Sequence, residues 1–215
     1  HQKYSKSKPT MNLYPCNQNK APKSSLPGLQ TLFALAVLVI VSISPLHASV
    51  ETDKCSKPGP GLANFRAETP PRPSPVYPFF NAQDAELTIS DFRGQGVVLN
   101  FWATWCAPCI KEMPALVRLK ELVSEDNITV LALSEDRGGA EKVIPFFKKL
   151  GINGLEVLID KRGKVARKSG VRGLPVTILI DAEGLERGRV TGIAQWDSAD
   201  VVDFVRRCIG PKNPS

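Results

Sequence analysis

The most constraining feature of this chain is a Cys-Ala-Pro-Cys segment, from Cys106 to Cys109, between an apolar run and a helical stretch. The apolar run, residues 97–102, has the composition of a buried strand, and residues 110–122 have helical periodicity. A helix beginning at this pair places the first sulfur where unpaired backbone N–H groups and the helix dipole favour a thiolate. The pattern predicts a redox pair in which Cys106 attacks and Cys109, one turn further on, resolves the mixed disulfide.

Three other uses of this cysteine spacing have to be weighed: a buried structural pair, half of a zinc site and a copper site. A zinc site needs two further ligands at metal spacing, but the chain has no second Cys-x-x-C and only two histidines, His1 and His47. A Cys/His copper site fails for the same lack of histidine. The flanking strand and helix favour redox chemistry over a structural pair, and we predict no metal and no cofactor.

The positive charge of the chain is concentrated at its N-terminus. Residues 1–48 hold five of the 28 basic residues and no acidic residue, which leaves 23 basic and 21 acidic residues over 49–215. The remainder of the chain is therefore nearly neutral, and it gives no case for nucleic-acid binding.

Residues 1–50 have the pattern of an export leader. Lysines precede an apolar core, residues 32–43, and small residues follow it, as in a secretory signal. The uncharged stretch 29–46 has 18 residues and could just span a bilayer, with the rest of the chain facing away from the cytoplasm. The sequence leaves a cleaved signal and a membrane anchor as alternatives.

Two cysteines remain after the active pair and Cys16 of the leader are set aside. Cys55 lies just after the leader and Cys208 lies near the C-terminus. In an oxidising compartment outside the cytoplasm such a pair is expected to form a disulfide. Two unpaired thiols are the alternative.

The chain divides into the leader (1–50), a proline-rich arm (51–76), one α/β domain (77–210) and a tail (211–215). We expect the arm to be an extended tether or a wrapped segment with one helical turn near residues 62–67. Strands that alternate with helices and end in a hairpin predict a single α/β domain. The predicted strands are 78–81, 86–88, 97–102, 128–133, 155–159, 176–180 and 187–191, and the predicted helices are 107–123, 140–150, 164–168 and 198–209.

Two segments carry a resemblance to a known family. Residues 97–114 (VVLNFWATWCAPCIKEMP) resemble the active-site strand and helix of the thioredoxin fold, and residues 173–181 resemble its second signature. More narrowly, the chain is similar to exported, membrane-anchored thioredoxin-like reductases of cytochrome and oxidase assembly, the TlpA and ResA group. The resemblance implies a central mixed sheet flanked by helices.

The same resemblance assigns a substrate groove. It implies that Pro175 is a cis proline facing the cysteine pair, with Leu174 before it. A cis proline leaves neighbouring backbone groups free to pair with an extended substrate. Trp105 and Pro108 are expected to border the groove beside the cysteines.

Two positions depart from ordinary thioredoxin. The buried aspartate six residues before the first cysteine is replaced by Asn100, which cannot relay a proton. The cytochrome-biogenesis relatives have a functional glutamate where this chain has Glu112, one helical turn from Cys109. We expect Glu112 to take the proton of Cys109, with its pKa raised by partial burial. A solvated carboxylate on the helix face is the alternative.

These features predict a bacterial thiol–disulfide reductase on the inner membrane facing the periplasm, or free in the periplasm if the leader is cleaved. Its expected substrates are disulfides of apo-cytochrome or of oxidase copper-site and metallochaperone cysteines, and a membrane thiol donor re-reduces it. The cytochrome-specific relatives tend to carry an acidic residue after the cis proline, and Val176 in that place favours copper-site clients.

Three rival functions use the same fold or the same cysteines. A thiol oxidant is the main alternative, which the absence of histidine between the cysteines disfavours. A peroxiredoxin-type peroxidase needs Thr or Ser three residues before the attacking cysteine, where Ala103 stands. A non-enzymatic copper-assembly factor needs histidine and a wider cysteine spacing.

Overall fold

The computed structural model describes residues 54–211, which form an eight-stranded mixed sheet flanked by four α-helices. The order of strands across the sheet is β1-β8-β7-β4-β5-β6-β2-β3. The strands are β1 (Phe65–Pro73), β2 (Phe79–Asn81), β3 (Glu86–Leu87), β4 (Gly96–Trp102), β5 (Ile128–Ser134), β6 (Leu158–Ile159), β7 (Val176–Ile180) and β8 (Leu185–Thr191). The helices are α1 (Ala107–Leu122), α2 (Gly139–Leu150), α3 (Lys164–Lys168) and α4 (Ala199–Ile209). This arrangement confirms the predicted α/β class.

The predicted leader, the first three residues of the arm and most of the tail lie outside the described residues. Within residues 54–211, no helix is long and apolar enough to cross a membrane.

Strand β4 is the centre of the sheet and the support of the cysteine pair. It pairs in parallel with β5 and antiparallel with β7, and all its residues are buried. A strand covered on both faces is expected to have a continuous apolar sequence. Asn100 is its one polar side chain, and it lies on the same face as Val98 and Trp102, which belong to the core cluster containing α1 and α4 residues.

The proline-rich arm is part of the sheet, which agrees with the wrapped segment among the two predicted alternatives and not with the tether, and which corrects the helical turn predicted near residues 62–67. A short 3-10 turn occupies Pro60–Leu62, and Phe65–Pro73 is an edge strand antiparallel to β8. Proline is tolerated on an edge strand because one row of its backbone groups has no strand to pair with. The pairing register shifts between Ala67 and Arg72, where Pro70 and Pro71 lie.

The predicted strand 155–159 is also corrected, since only Leu158–Ile159 pairs with its neighbours. The other predicted strands and helices occur within two residues of their predicted ends.

Cys55 and Cys208 lie in contact in the structure. Their Sγ atoms are 1.94 Å apart and their Cα atoms 4.6 Å apart, across a sequence separation of 153 residues. Both side chains are buried and belong to the core cluster that also contains the apolar side chains of α4. The contact joins the segment before β1 to the last turn of the last helix.

We predict that replacing both residues (Cys55→Ala with Cys208→Ala) lowers the free energy of unfolding by about 2–5 kcal/mol, because a link across so long a loop restricts the unfolded chain. Urea denaturation of the oxidised proteins measures the difference. The matched control is Cys106→Ala with Cys109→Ala, whose link closes a loop of three residues. Equal stability of the Cys55/Cys208 variant and the unsubstituted protein would contradict the prediction.

Candidate active site

The Cys106–Cys109 pair lies where β4 ends and α1 begins. Cys106 is the N-cap of α1, and its Sγ accepts a hydrogen bond from the backbone N–H of Cys109 at 3.3 Å. Pro108 lies in the first turn, where its missing N–H costs no helical hydrogen bond. The two sulfurs are 2.01 Å apart. Cys106 is 5% exposed and Cys109 is fully buried, so of the two side chains only Cys106 retains an exposed fraction.

The predicted groove residues lie at the same end of the sheet as this pair. Val176, the first residue of β7, pairs with Phe101 near the end of β4, which places Pro175 at that edge. The peptide between Leu174 and Pro175 is cis. Trp105 is 66% exposed, an unusual degree for an indole, and it offers an apolar surface beside Cys106.

Glu112 lies inside the protein and is not a solvated helix-face carboxylate. The residue is 4% exposed. Its Oε1 accepts a hydrogen bond from Asn100 Nδ2 at 2.9 Å, and its Oε2 accepts from Trp196 Nε1 at 3.0 Å and from the Ala194 N–H at 3.4 Å. Cys109 and Glu112 are three residues apart on α1 and therefore occupy neighbouring positions on the helix surface.

The pKa of Glu112 is raised above its ordinary value. Burial is the main cause because it penalises the charged form, and the hydrogen bonds from Trp196, Asn100 and Ala194 oppose it. All three donors are neutral N–H groups, so no cation of the described residues 54–211 is bonded to the carboxylate. A glutamate whose pKa lies nearer to neutral pH is a suitable general acid or base.

The N-terminal side of the cysteine pair is held by a buried aspartate. Asp136, at the end of β5, accepts hydrogen bonds from the N–H and Oγ1 of Thr104, both at 2.7 Å, and from Ser134 Oγ at 3.0 Å. Lys142 Nζ lies 3.0 Å from Asp136 Oδ1. Burial raises the pKa of Asp136, but the hydrogen bonds outweigh it and lower the pKa overall. The Asp136 carboxylate therefore holds Thr104, two positions before Cys106, in place.

The sequence predicts roles for Cys106, Cys109 and Glu112, and the structure adds Trp196 and Asp136 as neighbours of these residues that the sequence did not indicate. A buried indole usually finds a hydrogen-bond acceptor, which is a signal that Trp196 has a polar partner. Nothing in the sequence indicates which partner it is, since Glu112 lies 84 residues away. In the part of the chain that the structure describes, no group of three or more His, Cys, Asp or Glu side chains could hold a metal ion.

Comparison with known protein families matches residues 66–186, more than half of the chain, to the AhpC/TSA family. The chain belongs to this family. Two similar proteins are the thiol-disulfide oxidoreductases ResA of Geobacillus thermodenitrificans (strain NG80-2), 34% identical, and of Bacillus subtilis (strain 168), 32% identical, each over 121 residues. The alignments cover 55% of this chain and 67% and 65% of those relatives. A third, ResA of Bacillus thuringiensis subsp. konkukian (strain 97-27), is 36% identical over 111 residues, 52% of this chain and 63% of its own length.

This AhpC/TSA protein thus spans about two thirds of the length of the curated relatives it matches. Their names support a protein thiol–disulfide oxidoreductase of the ResA type.

Solved structures confirm the thioredoxin-like fold of this AhpC/TSA member. A secreted thiol-disulfide isomerase from Corynebacterium glutamicum superposes with a TM-score of 0.54 at 22% identity, covering 69% of this chain and 95% of that one. A thiol:disulfide interchange protein of the thioredoxin family from Chlorobium tepidum gives 0.52 at 22% identity, covering 65% and 99%. At such low identity the likeness concerns the fold alone.

We predict that Glu112→Gln changes the pH dependence of stability. A carboxyl group whose pKa is raised on folding contributes stability below its unfolded pKa, and this contribution is lost as pH rises through the folded pKa. Glutamine does not titrate. The unfolding free energy of the variant should therefore rise relative to that of the unsubstituted protein as pH increases above the reference pKa of 4.5. The amide also weakens the contact with Trp196, but that cost does not depend on pH.

Urea denaturation at a series of pH values measures this difference. The control is Glu121→Gln, an exposed glutamate of the same helix. If the unfolding free energies of Glu112→Gln and Glu121→Gln rose equally with pH, the rise would not come from the burial of Glu112, and the prediction would be overturned.

Proposed function

We propose that this protein is an exported reductant of protein disulfides. The observation that carries the proposal is the asymmetry of the cysteine pair: Cys106 keeps a small exposed fraction of 5% next to the exposed Trp105, whereas Cys109 is fully buried, one helical turn from Glu112. An outer sulfur that meets the substrate and an inner sulfur that only its neighbour can reach are what a two-step exchange requires.

The proposed reaction transfers two electrons from the enzyme dithiol to a client disulfide. The Cys106 thiolate attacks one client sulfur, forming a mixed disulfide and releasing the other client sulfur as a thiolate. Cys109 then loses its proton and attacks the Cys106 sulfur, which closes the enzyme disulfide and releases the second client thiolate. Both client thiolates take up protons, so the client leaves as a dithiol.

The reducing direction is supported by the residues between the cysteines. Ala107 and Pro108 are both exposed and carry no charge. They therefore add no cationic side chain that would stabilise the Cys106 thiolate further and turn the pair into a strong oxidant. The competing function, oxidation of client thiols, uses the same two sulfurs in reverse.

In this proposal Glu112 accepts the proton of Cys109. The carboxylate occupies the next turn of α1, and its raised pKa brings its proton affinity closer to that of a thiol. Asn100 holds the position beneath the pair without itself taking a proton.

The proposed clients are cysteines of apo-cytochrome, or of oxidase copper sites and their metallochaperones, and a membrane thiol donor re-reduces the enzyme. Val176, apolar and buried directly after Pro175, favours the copper-site clients. We place the protein at the bacterial inner membrane facing the periplasm, or free in the periplasm if the predicted leader is cleaved.

We predict that Cys109→Ser traps a mixed disulfide with a client, because the first attack proceeds and the second cannot. Non-reducing electrophoresis of the variant mixed with a protein disulfide substrate measures the trapped complex. Cys106→Ser is the matched control and should give none. A complex formed equally by both variants would overturn the assignment of the attacking sulfur.

The direction of the reaction is decided by the reduction potential of the pair, measured by equilibration with glutathione or dithiothreitol. We expect a value near that of thioredoxin, about −270 mV. A value near that of DsbA, about −120 mV, would make the protein an oxidant and leave the site itself unchanged.

We predict that Glu112→Gln slows the resolving step by at least about tenfold at neutral pH, since general bases typically contribute about 10²–10⁴-fold. The acid limb that reflects ionisation of Glu112 should disappear from the rate profile. Stopped-flow release of client thiols as a function of pH measures it, with Glu121→Gln as the control. An unchanged profile would remove Glu112 from the mechanism and leave the roles of the cysteines intact.

A further inference from the structure

Trp196 is a buried residue that the proposed mechanism does not yet use. It lies in the loop between β8 and α4, fully buried, and its indole N–H donates to Glu112 Oε2 at 3.0 Å. The other buried indole provides a contrast, since Trp102 Nε1 is buried with no hydrogen-bond partner. Trp196 thus donates a hydrogen bond to a carboxylate, whereas Trp102 makes packing contacts, with its ring stacked on Phe147.

The two oxygens of Glu112 are held by different parts of the fold. Oε1 faces the sheet, where Asn100 of β4 donates to it and also to Thr177 Oγ1 of β7 at 2.9 Å. Oε2 faces the loop before α4, which supplies the Ala194 N–H and the Trp196 indole. The loop side is the one that reaches solvent.

A cavity of about 500 Å³ opens on that side, lined by Glu112 and by residues of the loop and of α1. The charged groups that face it are Lys111 of α1 and Asp197 of the loop, and Asp197 is paired with Arg118 at 2.7 Å. On the other side of Glu112 the sheet presents uncharged side chains, Asn100 and, bonded to it, Thr177. Direct stabilisation of the ionised carboxylate therefore comes from N–H donors.

We propose that Trp196 is a positioning residue for Glu112: its indole N–H holds Oε2 and favours the ionised carboxylate that is able to accept the proton of Cys109. This inference rests on the proposed role of Glu112. The inference adds that the loop between β8 and α4, which lies outside the Cys106–Cys109 motif, tunes the proton affinity of Glu112. Loss of a hydrogen bond to a charged group is expected to move the titration of Glu112 upward by about one to two pH units.

The first experiment observes the contact directly in the oxidised full-length protein, where the active pair does not titrate. The chain has three tryptophans, so ¹⁵N-labelled protein gives three indole N–H resonances, which single Trp→Phe variants assign. We expect the Trp196 resonance to shift with pH as Glu112 ionises, and the shift to vanish in Glu112→Gln. A Trp196 resonance that does not titrate, or that titrates equally in Glu112→Gln, would overturn the proposal.

The second experiment measures the resolving step. Trp196→Phe should move the acid limb of its rate profile upward by about one pH unit or more, which lowers the rate about tenfold on that limb. Trp102→Phe is the matched control, because it removes a buried indole without removing a hydrogen bond. Its acid limb should stay at the pH of the unsubstituted protein. An equal shift in both variants, or none in Trp196→Phe, would overturn the proposal.

Failure of this inference is distinguishable from failure of the proposed function. If Glu112→Gln removes the acid limb but Trp196→Phe does not move it, Trp196 has no positioning role and Glu112 keeps its own. If Glu112→Gln leaves the profile unchanged, the proton-accepting role fails and the inference fails with it. If Trp196→Phe does not fold, the indole titration of the unsubstituted protein still decides between the two outcomes given for it.

Discussion

The hydrogen bond between Asn100 and Glu112 joins the centre of the sheet to the redox helix, and the rest of the site is arranged around it. It places a carboxylate without a directly paired cation in the interior, next to the apolar side chains of the core. A buried carboxylate is expensive unless its oxygens are hydrogen-bonded. Because Asn100 satisfies one oxygen, the other needs donors from a different element, and the loop before α4 supplies them.

That loop is itself held by the proline-rich arm. The Gly61 carbonyl accepts a hydrogen bond from the Gln195 N–H at 3.2 Å, and the Gly61 N–H donates to Asp200 Oδ2 at 3.0 Å. A side chain at Gly61 would lie 2.6 Å from Val201 Cγ2, so only glycine allows this close approach. The contact of Cys55 with Cys208 fixes the other end of α4 to the same arm. Through Gly61 and Cys55, the proline-rich arm therefore holds in place α4 and the loop whose N–H groups bind Glu112.

The sequence predicted those parts whose signal is local. The strand before Cys106 and the helix after it follow from an apolar run, a thiol pair and a helical period. The interest of Glu112 came from the family resemblance, and its spacing on the helix only placed it one turn from Cys109. The strand character of Phe65–Pro73 was missed because its prolines mask a pairing that only the edge position beside β8 permits. The burial of Glu112 and its contact with Trp196 depend on a loop 84 residues away, and no local pattern encodes such a contact.

The balance of opposing contributions at Glu112 fits the proton transfer that disulfide exchange requires. A carboxylate in water is a weak base towards a thiol with a pKa of about 8.5. Burial raises the pKa of Glu112 and makes the transfer less unfavourable, but without its donors the pKa would be higher still and less of the group would be ionised and able to accept. The donors Asn100, Ala194 and Trp196 restore part of the stability of the ionised form. The proposed role as a base agrees with an apolar interior and three neutral N–H donors around Glu112. A cation bonded to the carboxylate would lower its pKa and return it to a weakly basic state.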